Sequence, residues 1–305
     1  MRPQKGPVKA RKICHSTSRR SETVPIRFLN PKTDFAFKRI FGSERSQDIL
    51  LSFLNAVLGL QSPYRISELS ILGPYLAPRI QGMKDTYLDV KARDEQGKSY
   101  IIEMQVLNVA GFEKRVLYNA CKAYAGQIQR GEDYHLLTDV IAITITDFVM
   151  FEDLPEMINK FRLRAEDGKV YGDDLELVFG ELPKFSKTEQ ELRTILDRWF
   201  FFLKHAGSLD AVPESLQVEP AIVQAFEIAN KAGLTPEELE DQERREIFIQ
   251  DQRGAITLAE QRGVETERRR IARALLDMTS DDSVIAQKTG LSREEVRQLR
   301  NDAGS

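Results

Sequence analysis

The chain is almost without cysteine: Cys14 and Cys121 are the only two in 305 residues. Two thiols cannot build a disulfide framework, and their scarcity suits a reducing, cytoplasmic setting. Histidine is as scarce, with His15, His135 and His205 scattered along the chain, which leaves little material for a zinc site of the usual composition. No apolar run approaches the roughly 20 residues a bilayer span needs, so no membrane role is expected. The basic N-terminus is not followed by an apolar stretch, so it does not read as a secretory signal. Walker-type and dinucleotide glycine motifs are missing, which argues against nucleotide-driven chemistry. Neither a Ser-His-Asp nor a Cys-His constellation has local support.

Charge and apolar patterning are what the chain does have, and both are unevenly spread. Residues 1–20 hold seven basic side chains (Arg2, Lys5, Lys9, Arg11, Lys12, Arg19, Arg20) and no acid, although the formal net charge of the whole is −3. The remaining 285 residues carry 37 basic and 47 acidic side chains, a net of −10. Residues 1–24, basic and nearly free of large apolar side chains, read as a disordered arm. Residues 25–210 read as a mixed α/β domain, and 211–305 as an all-helical C-terminal region rich in charge.

Within 25–210 the patterning predicts helices over Phe35–Phe41 and Gln47–Leu58, the second ended by Gly59. Strands are expected at Arg65–Leu72, Thr86–Ala92 and Ser99–Leu107, the last two joined by the turn Asp94-Glu95-Gln96-Gly97. A helix over Phe112–Gln129 follows, then a buried β-branched strand at Asp139–Thr146. A strand at Leu175–Phe179 and a helix over Lys187–His205 complete the domain.

The hairpin is the most informative segment. Successive strand side chains point to opposite faces, so Tyr100, Ile102, Met104 and Val106 form an apolar side while Glu103 and Gln105 share the other. Leu88, Val90 and Ala92 likewise share a side, with Asp89 and Lys91 opposite. A turn centred on Gln96 sets Asp89 directly across from Glu103, where Cβ atoms stand about 4.5–5.5 Å apart. Two carboxylates at that spacing repel unless a cation joins them or one keeps its proton. Oxygen ligands of this kind suit magnesium, which binds through one or two carboxylates and keeps its waters. The spacing permits a divalent-metal site; a solvated outer face of an ordinary hairpin would show the same alternation.

The string Asn30-Pro31-Lys32-Thr33-Asp34-Phe35-Ala36-Phe37-Lys38-Arg39-Ile40-Phe41-Gly42 resembles the opening signature of a bacterial family. These are the recombination-promoting (Rpn-type) nucleases and transposases of the PD-(D/E)XK superfamily. The resemblance continues through Leu88-Asp89-Val90-Lys91, Ile102-Glu103-Met104-Gln105, Tyr118, Tyr124 to Gln127, Tyr134, Val140–Thr146 and Trp199 to Lys204, over roughly residues 30–205. It implies a restriction-endonuclease-like core, a mixed central sheet flanked by helices, that cuts DNA phosphodiesters with magnesium, or manganese in its place. Asp89 and Glu103 then correspond to the two metal ligands. Gln105 stands where the superfamily usually has Lys, a cation able to orient water and offset phosphate charge. Lys91 is a candidate replacement for that cation. Asp34 is a candidate support for the metal site, with Lys32 or Lys38 as phosphate contacts, although Asp34 and Lys38 at four apart also suit a helical ion pair. Gln127 either reaches the site from its helix or lies on the surface. Tyr118 and Tyr124 read more readily as core aromatics than as base-stacking groups.

Residues 281–300 carry helix-turn-helix spacing: Ala286, then Gly290, then Val296 and Leu299. Helices over Asp281–Lys288 and Ser292–Arg300 are expected, with a capping box from Ser292 and Glu295. Arg293, Arg297 and Arg300 favour phosphates, whereas Glu294 and Glu295 oppose a duplex, so the tail reads as an interaction or homo-oligomerisation element ahead of a DNA reader. Two functions are carried forward: a magnesium-dependent endodeoxyribonuclease linked to recombination or transposition, and a catalytically weakened nuclease-fold binding protein acting through its tail.

Overall fold

The computed structural model describes residues 27–76 and 86–303; the basic arm expected over 1–24 lies outside them. The first helix, α1 (Asp34–Phe41), starts where the Thr33 hydroxyl accepts the N–H of Ala36, and it buries Ala36, Phe37, Ile40 and Phe41 at helical spacing. The second, α2 (Gln47–Leu58), ends at Gly59, whose φ of 69° is the left-handed conformation that glycine adopts without penalty. Then come β1 (Leu69–Leu72), β2 (Tyr75–Leu76), β3 (Thr86–Tyr87), β4 (Val90–Asp94) and β5 (Ser99–Gln105). They are followed by α3 (Phe112–Ala125), β6 (Val140–Thr146), β7 (Ile158–Arg162), β8 (Leu175–Glu181) and α4 (Ile195–His205). The chain continues as α5 (Glu214–Gln217), α6 (Pro220–Ala229), α7 (Pro236–Leu276), α8 (Asp282–Thr289) and α9 (Arg293–Ala303).

Six strands form one mixed sheet in the order β1-β4-β5-β6-β8-β7, while β2 and β3 pair as a separate ribbon. The β1, β4 and β5 neighbours are antiparallel, β5-β6-β8 are parallel, and β7 returns antiparallel on the edge. Parallel strands covered on both faces should be apolar throughout, and all seven residues of β6 are buried. One face of the sheet, with Tyr100, Ile102, Met104, Ile141, Ile143 and Ile145, packs on α1, α2, α4 and α6. Trp199 lies at the middle of that layer, fully buried among Phe41, Phe53 and Phe202, and donates from Nε1 to Ser52 Oγ at 3.1 Å. The other face sets Ile101, Val140 and Ala142 against Ala120 and Ala123 of α3.

Five details differ from the patterning. The strand expected over Thr86–Ala92 breaks at Leu88–Asp89, so Leu88 joins the α3-side cluster while Val90 and Ala92 join the main core. The strand at Arg65–Leu72 occupies only its last four residues. The α3 helix stops at Ala125 rather than Gln129, because Gln127 pairs with Thr138 instead of extending it. The α4 helix begins at Ile195, where Thr194 and Asp197 form a capping box, and Thr188 with Glu191 caps a separate short turn before it. The edge strand β7 was not anticipated. Helicity after residue 211 is as expected, but Ile222, Ala225, Phe226 and Ala229 of α6 lie in the main core. The terminal helices form as read: Gly290 turns the chain at φ 72°, and Ser292 and Glu295 exchange bonds of 2.8 and 3.2 Å. Ala272, Ile285, Leu291, Val296 and Leu299 make their small shared core. Among the described residues no helix is long and apolar enough to cross a membrane.

Candidate active site

The β4–β5 register pairs Val90 with Ile102 and Lys91 with Ile101, which is the register of a hairpin centred on Gln96. Extended by one residue, it sets Asp89 opposite Glu103. Both line a cavity of about 950 Å³ between the end of β5, α1 and α3, together with Asp34, Lys38, Tyr87, Gln105, Lys114, Arg115, Tyr118 and Asn119. The break at Leu88–Asp89 gives the Asp89 carboxylate a backbone partner on the next strand: its Oδ2 accepts the Met104 N–H at 2.8 Å.

Around this pair the charges are close to balanced. Lys38 Nζ lies 2.7 Å from Asp34 Oδ1 and 3.5 Å from Asp89 Oδ1, so the α1 ion pair also reaches the cavity. Arg245 of α7 approaches the other Asp34 oxygen at 3.3 Å. Asn119 donates to Glu103 Oε1 at 2.9 Å, leaving Oε2 without a hydrogen-bond partner among the described residues. Gln105 is tied at both ends: its amide nitrogen donates to the Leu107 carbonyl at 2.6 Å, and its oxygen accepts from Arg115 at 2.7 Å.

Burial pushes the Asp89 carboxyl up to about 7; the Met104 N–H opposes this, the neighbouring Asp34 carboxyl adds to it, and Lys38 offsets part. Burial also raises Glu103, against the Asn119 hydrogen bond and the charges of Arg115 and Lys38. Asp34 moves the other way, since bonds with Lys38 and Asp89 and the charges of Lys38 and Arg245 outweigh its burial. Two half-buried carboxyls driven upward are groups short of positive charge, and carboxylate oxygens are the donors a hard divalent cation takes. Among the described residues no three Asp, Glu, His or Cys side chains converge as a metal cluster. A cation here would therefore rest on Asp89 and Glu103 and keep waters, which is how magnesium is usually held.

The remaining sequence-derived candidates are placed apart. Lys91 on β4 does not line the cavity; burial and the charge of Arg93 lower its pKa. Gln127 donates to the Thr138 carbonyl and accepts the Thr138 N–H, both at 2.8 Å, at the start of β6 and so at the opposite end of the sheet. Lys32 pairs with Asp147 at 3.0 Å, and Arg253 of α7 meets the same carboxylate. Lys114, Arg115, Asn119 and Tyr87 were not singled out from the sequence. A signal for two of them exists: Arg115, Asn119 and Lys122 form a polar row at helical spacing beside the apolar row Val116, Ala120 and Ala123. A polar row flanking a buried one marks the side of a helix that borders a cavity.

Residues 31–259 match the PD-(D/E)XK nuclease family transposases, and residues 265–301 match the C-terminal helix-turn-helix domain of the Rpn/YhgA-like nuclease family. No curated protein and no solved structure matches the chain. The longer match covers well over half of the sequence and takes in the mixed sheet, the flanking helices and every residue of the carboxylate cavity. With that sheet, that cavity and a helix-turn-helix behind them, the chain belongs to the PD-(D/E)XK nuclease family transposases.

Proposed function

We propose that the chain is a metal-dependent DNA endonuclease that hydrolyses phosphodiester bonds at the Asp89–Glu103 cavity and serves recombination or transposition. The observation that carries this reading is the pair of largely desolvated carboxyls at the end of the β4–β5 hairpin, both raised by that desolvation, in a cavity that also holds Lys38, Lys114 and Arg115. Among the described residues three acids and three cations line it, so without a metal these charges give little net attraction for a phosphodiester. A divalent cation supplies the missing positive charge together with Lewis acidity and a more acidic water.

The chain's own groups then have separate tasks. Asp89 and Glu103 would hold the ion; the Met104 N–H and the Asn119 amide fix one oxygen of each and so orient the other. Lys38 offsets the charge shared by Asp34 and Asp89. Arg115 brings to the position of Gln105 the cation that Gln105 lacks, on the wall of the same cavity, and such a cation offsets charge that develops on a phosphate. One observation favours the second reading, a nuclease fold that binds without cutting: Gln105 is held by the Leu107 carbonyl through one amide proton and by Arg115 through its oxygen, which leaves a single amide proton, and no charge, for a water.

Supercoiled plasmid separates the two. The expected outcome is nicking in magnesium, none with chelator, and a loss on the order of 10² in rate for Asp89→Ala and Glu103→Ala. Plasmid left intact in magnesium and manganese, or nicked equally by the alanine variants, would sink the endonuclease reading.

A further inference from the structure

One wall of the cavity carries a feature that phosphodiester hydrolysis does not itself require. In the β2–β3 ribbon Tyr75 and Tyr87 are directly opposed. Their rings stand 5.0 Å apart, tilted by 33°, yet Tyr87 is 72% exposed and Tyr75 45%. Exposed aromatic surface of this size is usually covered by something else. Tyr87 lies two residues before Asp89 and lines the same cavity. From α3 the cavity receives Lys114, Arg115 and Tyr118, the last 37% exposed. Lys114 and Tyr118 are four apart and therefore neighbours on one helical face.

Cations for the backbone beside open aromatic faces for the bases are the two components by which proteins hold single strands. An intact duplex uses neither ring face, since its bases are stacked on one another and present only groove edges. Lys114 and Arg115, on the α3 side beside Tyr118, favour an anionic partner over an apolar protein surface once a divalent ion offsets the carboxyls. The geometry points to a base-stacking platform: Tyr87, backed by Tyr75, receives an unpaired nucleobase of the strand whose phosphate enters the carboxylate cavity. The substrate class that follows is DNA with unpaired bases, such as single strands, forks and loops, in preference to uninterrupted duplex. This inference rests on the nuclease reading of the cavity and adds the kind of DNA it takes.

The test is binding, measured by fluorescence anisotropy with the full chain at low salt in calcium in place of magnesium, so that a divalent charge is available to the carboxylate pair, with the probes checked intact on a denaturing gel. The probes are a labelled single strand, a forked duplex and a blunt duplex of equal length. Stacking on one aromatic is worth roughly a five- to hundredfold change in affinity. Wild type is expected to bind the single strand and the fork about tenfold more tightly than the blunt duplex. Tyr87→Ala and Tyr75→Ala should abolish that preference while leaving blunt-duplex affinity unchanged, and Tyr87→Phe should keep it. Because Tyr87 is largely exposed, its truncation removes no core contact, and an unchanged melting temperature confirms this. Equal affinity of wild type for paired and unpaired DNA, no binding to either, or an alanine variant that retains the preference overturns the platform. Plasmid nicking judges the nuclease reading independently: nicking without the preference removes only the platform, and the preference without nicking removes only catalysis.

Discussion

Gln105 shows how a single residue's neighbours alter what its type implies. Read alone, a neutral amide in place of a cation looks like a loss. In the structure Arg115 stands 2.7 Å from its oxygen, so positive charge reaches the position from α3 rather than from β5. Restoring Lys at 105 would then do harm, because an ammonium would face a guanidinium in a partly desolvated cavity. Gln105→Lys is expected to lower the nicking rate about tenfold, and adding Arg115→Gln to restore most of it, an interaction that single substitutions do not show. Rates of the two single variants and the double variant on supercoiled plasmid check this; simple additivity would mean the residues act separately. The register of the hairpin that carries Asp89 and Glu103 could be read from the sequence because hairpin pairing is arithmetic, and the observed pairing of Val90 with Ile102 obeys it. Arg115 and Asn119 could not be assigned, because the angle at which α3 crosses the sheet decides what they meet, and no local pattern encodes that angle.

Elements were legible where a local stop signal coincided with the end of an apolar pattern. The α2 helix is bounded as expected because Gly59 closes it, and α8–α9 because Gly290 and the Ser292–Glu295 box separate them. The β7 strand was missed for the opposite reason: Ile158, Asn159, Lys160, Phe161 and Arg162 form an edge strand with three exposed residues, and such strands carry little apolar signal. The α4 helix adds a prediction. Burial pushes the Asp197 carboxyl up, but the Lys187 ammonium at 2.6 Å and the backbone N–H groups of Thr194 and Arg193 outweigh it and hold the group at about 2. A carboxyl depressed in the folded state contributes stability above its unfolded value of 3.8 and loses it as pH falls toward 2. Asp197→Asn should therefore cost on the order of 2 kcal/mol at pH 7 and progressively less below pH 4. Urea unfolding of both proteins from pH 7 down to pH 3 reads the difference; a gap that does not narrow in acid would assign the residue a purely steric role.

At the scale of the whole molecule α7 is the organising element. Its 41 residues extend about 60 Å at 1.5 Å per residue, and its two ends have different surroundings. The first half is tied to the nuclease body: Glu238 to Arg39, Gln242 to buried Thr33, Arg245 to Asp34 and Arg253 to Asp147. From Gly254 to Ile271 nearly every residue is exposed, and the ion pairs of Arg269 with Glu265 and Arg270 with Glu267 stabilise a solvated rod. The far end packs Ala272 into the small core of α8 and α9. On α9, Arg297 and Arg300 are drawn back to Asp282 at 3.7 and 2.9 Å. None of the body's buried apolar residues lies beyond Ala229, so the body should not need the tail in order to fold, yet it should need the start of α7. A chain ending at residue 259 is expected to melt within a few degrees of the full chain and to keep its metal-dependent nicking rate at saturating DNA. A chain ending at 235 loses the buried Gln242–Thr33 bond and the Arg245 counter-charge beside Asp34. That loss is worth about 2 kcal/mol, or a fall of about 5 °C in Tm, and it should be accompanied by slower nicking. Thermal unfolding and plasmid assays on the two truncations decide it: an unfolded or inactive 259 form would mean the rod belongs to the catalytic unit and is not a spacer.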